Sequence, residues 1–330
     1  MKLLVVSICK NEAATITELI ARIPKKYKGI SSVEICVIDD GSTDGTADAA
    51  KKAGAVVYGD GASKGLAFRF REVINIALAR GADVLVNIDG DLQFMPEDIP
   101  AIIAPVVSDA ADFVAADRFT NPKTGAQHRP KNMPAGKYYG NKLGARIVSH
   151  LSKHTFNDVT CGFRAYSRKT LYALNLNSTH TYTQESFQII AAKRLRIQTI
   201  PTNVTYYKGR KSRVVTSIVK YIAISTLNIL RAYRDFAPLR FFFSVGLIPF
   251  AVGLVGVGIA SWHWLQTGSI SPYKAFGMGG LYFLTLGIFF WALGLVADMV
   301  VRLQGTQEKI YEDLKQLRYP SAKKPPSLKN

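Results

Sequence analysis

Short apolar runs alternate with amphipathic stretches over roughly the first 205 residues of the chain. The runs Leu3-Leu4-Val5-Val6-Ser7-Ile8, Val33-Glu34-Ile35-Cys36-Val37-Ile38, Ala53-Gly54-Ala55-Val56-Val57 and Val84-Leu85-Val86-Asn87-Ile88 are rich in β-branched residues. Near-continuous apolar runs of this length are the mark of strands covered on both faces. Helices are expected between them, from about Ala13 and near 66–80. Strands and helices in alternation predict βαβ units and a mainly parallel sheet, an α/β fold. The first apolar run meets polar residues at Lys10, too soon for a signal peptide, and reads as a strand.

A different pattern takes over near residue 240. No formal charge falls between Phe241 and Leu265, or again between Ala275 and Ala297. Each stretch reaches the roughly 20 residues needed to cross a bilayer's hydrocarbon. Two transmembrane helices are therefore expected, at about 241–264 and 275–299, both rich in Gly, with Trp262, Trp264, Tyr273 and Tyr282 placed for an aromatic belt. Arg231, Arg234 and Arg240 precede the pair and Arg302 and Lys309 follow it, while the connection from Gln266 to Lys274 holds one basic residue. The positive-inside rule then puts both chain ends, and the first domain, on the cytoplasmic side of an inner or endomembrane bilayer.

The organisation that follows is a domain over 1–213, a basic juxtamembrane segment over 214–240, the two spans over 241–301 and a tail over 302–330 whose end is disordered. Val215, Ile218, Ile222, Leu227 and Ile229 among Lys220, Arg231 and Arg234 suit an interfacial helix or one packed on the first domain. Charge sharpens this picture. The formal net charge is +18, and residues 193–240 carry eleven Lys or Arg against the single acid Asp235. Because this basic stretch runs into the most apolar part of the chain, acidic lipid headgroups suit it better than nucleic acid.

Cys9, Cys36 and Cys161 show neither zinc nor disulfide spacing and are expected as buried, reduced thiols. The five histidines are scattered, with no paired spacing for zinc. Ligands of open α/β sheets gather beyond the carboxyl ends of the strands. Three such ends are acidic or polar: Lys10-Asn11-Glu12, Asp39-Asp40-Gly41-Ser42 and Asp89-Gly90-Asp91. Two carboxylates flanking a Gly, with Gln93 two residues on, suit Mg²⁺ or Mn²⁺, hard ions that take oxygen ligands and bridge to phosphates. Asp and Gly are also ordinary turn residues, and Asp44 or Thr43 also suits a helix cap.

Together, Cys9-Lys10-Asn11-Glu12, the run from Val37 to Thr46, Ile88-Asp89-Gly90-Asp91-Leu92-Gln93 and Asp158-Val159-Thr160-Cys161-Gly162-Phe163-Arg164 resemble glycosyltransferase family 2. Within it they resemble most the polyprenyl-phosphate glycosyltransferases, the group that includes dolichol-phosphate mannose synthase. The resemblance implies a GT-A fold, a UDP- or GDP-linked sugar donor, a polyprenyl (undecaprenyl or dolichyl) phosphate acceptor, a divalent metal and inversion at the anomeric carbon. By position, Cys9, Glu12, Val37, Asp39 and Gly90 would line the donor pocket, and Asp89, Asp91 and Gln93 would hold the metal. Arg118 would reach phosphates, Arg129 and Ser212 the acceptor, and Lys208 and Arg213 the donor, with Arg210 a possible substitute. Asp158 stands where hydroxyl-acceptor enzymes of this fold keep a base, and it or Glu185 would orient the acceptor, the sugar or basic side chains. A phosphate acceptor needs no strong base, because its second ionisation lies near pH ~6.

Three rival readings stay open. A processive polysaccharide synthase would carry a Gln-x-x-Arg-Trp segment, and no Trp occurs before Trp262. A catalytically silent membrane scaffold would be expected to lose Asp89 or Asp91, and both are present. A nucleic-acid protein would use Tyr206, Tyr207, Tyr221 and Tyr233 for stacking, but the spans that follow argue against it. Homo-oligomerisation is compatible with the sequence.

Overall fold

Residues 1–152, 154–177, 182–207, 234 and 237–320 are described by a computed structural model. The first part of the chain runs β1 (Lys2–Cys9), α1 (Ala13–Arg22), β2 (Ser32–Asp39), α2 (Thr46–Lys52), β3 (Val56–Tyr58), α3 (Leu66–Ala79) and β4 (Val84–Asn87). It continues through α4 (Ile99–Val107), β5 (Phe113–Asp117), α5 (Ala135–Ser152), β6 (Arg164–Ser167), α6 (Arg168–Ala173), α7 (Thr183–Ala192) and β7 (Ile197–Pro201). Two long helices follow, α8 (Pro238–Thr267) and α9 (Lys274–Arg318). The chain divides into two compact units, one of Met1–Lys211 with Lys309–Asn330, the other of Ser212–Glu308.

In the first unit seven strands form one sheet in the order β3-β2-β1-β4-β6-β5-β7. All pairings are parallel except the two made by β6, which lies antiparallel between β4 and β5. Alternate residues of β1 enter different cores: Leu4 and Val6 pack with Phe70, Val73 and Ala77 of α3, and Leu3 and Val5 with Ile16 and Leu19 of α1 and Ile102 of α4. Helices thus cover both faces, which is why the strand sequences are apolar throughout. The helices meet the sheet through stripes at three- and four-residue spacing, such as Ile16, Leu19 and Ile20 in α1 and Phe70, Val73, Ile74, Ala77 and Leu78 in α3.

Of the adjacent acids at the end of β2, Asp40 has a structural task. Its carboxylate accepts from the backbone N–H groups of Lys64 (2.7 Å) and Gly65 (3.1 Å) and from Arg69 Nε (3.0 Å). The Arg69 side chain is 2% exposed and also holds Asp60, Glu72 and the Ala62 carbonyl. Burial pushes the Asp40 carboxyl up, but these donors outweigh it and hold the group below its usual range. Asp44 ties two helix starts together, accepting from the N–H groups of Ala13 (3.0 Å) and Thr46 (3.0 Å). The N-cap position of α2 is Gly45, and Asp44, one residue before it, holds the first N–H of each helix instead of occupying the cap.

In the second unit, α8 and α9 are both long and apolar enough to cross a membrane. Gly246 and Gly253 on α8, and Gly280, Gly287 and Gly294 on α9, recur every seven residues where the helices touch. A Cβ at Gly253 would lie 2.5 Å from the Leu284 nitrogen, and one at Gly280 2.6 Å from that of Val257. Small residues allow the backbone contact that drives helix pairing in lipid.

The second apolar stretch closes at Asp298, near the expected 299, but the helix that carries it does not end there. Helix α9 continues to Arg318, through residues assigned from sequence to the tail. Its last turns belong to the first unit and are fastened there. Lys193 pairs with Glu312 (2.8 Å), and the Lys315 ammonium donates to the Leu174 carbonyl (2.6 Å) and Asn175 Oδ1 (2.8 Å). Arg168 and the Tyr172 hydroxyl donate to the Tyr319 carbonyl, and the Tyr319 ring joins the α3–α7 core. Burial, then the charge of Lys193, pulls the Lys315 ammonium down to about 8. The expected juxtamembrane helix over 214–235 and the disordered end over 321–330 lie outside the described residues.

Breaking a buried ion pair from one side leaves an uncompensated charge and costs about 3–5 kcal/mol. Asp40→Ala is therefore expected to lower the unfolding free energy of the detergent-solubilised protein, followed by urea denaturation, by that amount. Because the folded Asp40 carboxyl is held low, its stabilisation is present above the unfolded value near pH ~4 and lost as pH falls below it. The variant should lose less stability than the native protein between pH 6 and pH 3, and an equal loss would show that the pair is unimportant.

Candidate active site

Because β2, β1 and β4 are parallel neighbours, their carboxyl ends open on the same edge of the sheet. Cys9 stands beside Asp39 in register, and the Asp40 N–H donates to the Cys9 carbonyl (2.9 Å). The chain leaving β4 is bound to β1 by Ile88 N–H to the Val6 carbonyl (3.0 Å), which delivers Asp89-Gly90-Asp91 to that edge.

Two glycines set this close packing. A Cβ on Gly90 would stand 2.6 Å from Cys9 Sγ, so only Gly lets the triplet settle against β1. The Thr15 hydroxyl of α1 donates to the Gly90 carbonyl (2.7 Å) and fixes it there. A Cβ on Gly162 would stand 2.7 Å and 2.9 Å from the two Asp89 carboxylate oxygens, so the loop before β6 forms a wall directly against that carboxylate. Asp91 Oδ1 accepts from the Gln93 N–H (3.1 Å), while Leu92 between them takes the left-handed φ of 56°. A non-glycine residue held there stores strain of the kind found at functional sites.

Asp89 has the most perturbed carboxyl at this edge. Burial first, then the Asp91 charge, raises it to about 6, against the opposing pull of Arg118 and Arg164. A buried carboxylate opposed by a neighbouring carboxylate charge suits a divalent cation, whose charge relieves the repulsion and whose hardness matches oxygen ligands. Among the described residues no group of three His, Cys, Asp or Glu side chains could hold a metal ion. Asp89 and Asp91 are the two oxygen-bearing side chains there that fit such a cation, and its other ligands would come from outside the protein.

Arg118, at the end of β5, is almost fully buried. Its Nε and Nη2 grip the Asp158 carboxylate at 2.6 Å and 2.9 Å, Nη2 also reaches Thr160 Oγ1 (2.6 Å), and Nη1 reaches the Tyr206 hydroxyl (3.1 Å). Four of about five guanidinium donors are thus committed to protein. Burial pushes the Asp158 carboxyl up, but the Arg118 charge prevails and holds it below its usual range. Asp158 is therefore an ionised anchor for Arg118. Of the orienting tasks expected of Asp158, the contact present is the one with a basic side chain, and the Arg118 reach to phosphates is limited to what its remaining Nη1 donor offers.

Other expected residues fall differently. Val37 is fully buried in the core with Ile16 and Leu19, two residues below Asp39 on the same side of β2, so it supports that residue from beneath and does not line an opening. Cys9 is 1% exposed, and burial pushes its thiol up to about 12, so it packs against Gly90 as an inert group. Asp39 accepts from the Ser42 N–H (3.3 Å), and the Glu12 N–H donates to Thr46 Oγ1 (2.9 Å), both at the strand-end opening. Glu185 accepts from the Asn177 N–H (2.7 Å), a loop-holding contact. Arg129 is exposed on the loop between β5 and α5. Lys208, Arg210, Ser212 and Arg213 lie outside the described residues.

One residue at this site was missed from the sequence. Lys137, in the first turn of α5, has its ammonium 5.1 Å from the centre of the Tyr206 ring. Burial first, then the Arg118 charge, lowers its pKa, while Asp91, Asp89 and Asp158 pull it up. The charges of Arg118, Asp89 and Asp91 thus all act on this ammonium. No periodicity or motif marks a lone Lys in a polar first turn, which is why it escaped notice.

A family model described as Glycosyl transferase family 2 matches residues 4–174. The chain is 28% identical over 308 residues to Glycosyltransferase AglJ of Haloferax volcanii, covering 92% of this chain and 95% of that protein. It is 34% identical over 163 residues to Dolichyl-phosphate hexose transferase of the same organism (49% of this chain, 64% of that one). It is 28% identical over 183 residues to Undecaprenyl-phosphate mannosyltransferase of Micrococcus luteus (54% and 71%). Among solved structures, glucosyl-3-phosphoglycerate synthase from Mycobacterium tuberculosis in complex with Mn²⁺, UDP-glucose and glycerol 3-phosphate matches with a TM-score of 0.53 at 19% identity, over 69% of this chain and 79% of that one. That likeness is one of fold, and the expected GT-A sheet is the one observed. With more than half its length matched by the family model, the chain belongs to glycosyltransferase family 2.

Proposed function

We propose that this glycosyltransferase moves a hexose or related sugar from a nucleotide-diphosphate donor to a polyprenyl phosphate, with inversion and with Mg²⁺ or Mn²⁺ as cofactor. The observation that carries the proposal is the Asp89–Asp91 pair at the strand-end edge, in a chain that also supplies two helices apolar enough to span a membrane. The printed functions of the relatives, transfer to dolichyl and undecaprenyl phosphates, support the acceptor class. The distribution of Lys and Arg supports a catalytic unit and chain ends on the cytoplasmic side.

Each residue then has a defined task. Asp39 and Glu12 border the nucleotide, and Asp89 and Asp91 would hold a divalent cation, which when bound would supply Lewis-acid stabilisation of the diphosphate leaving group. The acceptor phosphate attacks the anomeric carbon from the side opposite the diphosphate, and the carbon–oxygen bond to the diphosphate breaks as the new one forms. At neutral pH that phosphate is largely dianionic and needs no proton removed. Lys137, over the Tyr206 ring whose hydroxyl Arg118 meets, serves as a cation for the incoming phosphate, and Asp158 with Thr160 keeps Arg118 in place. Fixed charges of this kind act on the transition state without reorganising.

Purified full-length protein with Mn²⁺, polyprenyl phosphate and a panel of UDP- and GDP-linked sugars is expected to yield a charged glycolipid. Asp91→Ala should reduce its rate at least about 100-fold. Product formation by Asp91→Ala at the wild-type rate, or none by wild type with any donor, overturns the proposal. Lys137→Met should raise KM for the lipid phosphate about 10- to 100-fold, the worth of one charge-assisted hydrogen bond, while KM for the donor changes little. Equal effects on both substrates would remove Lys137 from the acceptor side. A proton bound to Asp89 competes with the metal, so Mn²⁺ affinity, followed by titration calorimetry, should fall as pH drops below about 6. A flat profile between pH 7 and pH 5 would contradict that competition.

A further inference from the structure

Arg164, the first residue of β6, is fully buried, yet no carboxylate lies within ion-pair distance of it among the described residues. Its donors go instead to backbone and one hydroxyl. Nε donates to the Cys161 carbonyl (2.6 Å), Nη2 to the Val159 carbonyl (3.0 Å), and Nη1 to the Thr183 carbonyl (2.9 Å) and Ser186 Oγ (2.6 Å). The rings of Phe187, Tyr182 and Phe113 stand 4.8, 5.6 and 5.7 Å from its guanidinium carbon. Burying a charge without a counter-ion is costly, and an apolar side chain of similar size would fill the space at less expense. What the guanidinium adds is direction: a planar fork that fixes several acceptors at once.

Two of those four acceptors, the Cys161 and Val159 carbonyls, belong to the loop that meets both charged parts of the site. Val159 and Cys161 alternate with Asp158 and Thr160, which grip Arg118, and with Gly162, which walls the Asp89 carboxylate. A second staple acts from β4. Asn87, opposite Arg164 in register and two residues before Asp89, donates its Nδ2 to the Gly162 carbonyl (2.9 Å) and to the Tyr182 hydroxyl (3.0 Å). Arg164 therefore joins the start of α7 to a loop that has no regular structure of its own.

We infer that Arg164 is a positioning residue for the transfer reaction, holding the 158–163 loop in the shape that aims the Asp89 carboxylate and the remaining Nη1 donor of Arg118 at the donor diphosphate. It touches neither substrate nor metal and acts through the loop it binds. The inference rests on the proposed reading of Asp89 and Asp91 as the metal pair.

The test compares full-length wild type, Arg164→Lys, Ser186→Ala and Asp91→Ala by electron paramagnetic resonance of Mn²⁺ without substrate, by thermal melting, and by the donor KM and kcat. Lysine keeps the charge but cannot meet acceptors spread over three nitrogens of a plane. Folded Arg164→Lys should bind Mn²⁺ at least tenfold more weakly and lose kcat as well as donor affinity. Ser186→Ala, which removes one of four acceptors, should show the same changes at about two- to fivefold with near-native melting. Mn²⁺ affinity within twofold of wild type in folded Arg164→Lys overturns the inference. If that variant does not fold, unchanged Mn²⁺ affinity in Ser186→Ala overturns it instead. Asp91→Ala separates the two levels: Mn²⁺ binding that survives there removes the metal-pair reading, and with it the inference, whereas loss there with no effect at Arg164 and Ser186 removes the inference alone.

Discussion

The Asp89 carboxylate sits among protein atoms at the end of a parallel strand, with a second carboxylate one residue beyond its glycine neighbour. Left alone, such a pair resists ionisation, and its Asp89 member is raised to about 6. Much of the catalytic unit can be understood as the framework that keeps this unfavourable arrangement in place. Gly90 lets the triplet press on Cys9, Thr15 of α1 holds its carbonyl, and Gly162 closes the far side. Two buried arginines stand behind that wall, one balanced by Asp158 and one held by carbonyls. A hydrophobic sheet core covered on both faces makes this rigid enough to persist, because strands β1, β2 and β4 have few ways to shift without exposing apolar surface.

Legibility from sequence followed how local each cause was. The strands could be read because a doubly covered strand must be apolar at nearly every position, as Leu3 to Val6 and Val84 to Val86 are. The Asp89-Gly90-Asp91 triplet could be read because its meaning depends on one preceding strand. The neighbouring acids Asp39 and Asp40 could not be told apart, since their difference is made by Arg69, Lys64 and Gly65 from a later part of the chain. Strand β6 escaped for a related reason: Arg164–Ser167 is only four residues long and begins with a charge whose burial depends on partners in α7 and the preceding loop. Arg118 was placed at the right edge, but its commitment to Asp158, Thr160 and Tyr206 is a tertiary fact. Lys137 lay in no pattern at all.

The continuation of α9 beyond its apolar stretch is not legible in the sequence, because charge marks the end of a span and not the end of a helix. Charges at Asp298 and Arg302 close the apolar stretch, but they also pair with each other at four-residue spacing, which suits a continuing helix. Beyond them Glu312, Lys315 and Tyr319 face the first unit, and their partners Lys193, Leu174, Arg168 and Tyr172 come from α6, α7 and their flanks.

That fastening changes what the two apolar helices are in the architecture. They are an insertion into the catalytic body, entered after Lys211 and left at Lys309, and not an appendage hung from its end. A chain cut just after the second span would therefore lose a piece of the catalytic unit along with the tail. It would leave the Tyr172 hydroxyl and the carbonyl of Leu174 open to water, and a soluble form would have to delete the hairpin and rejoin the flanking segments through a linker.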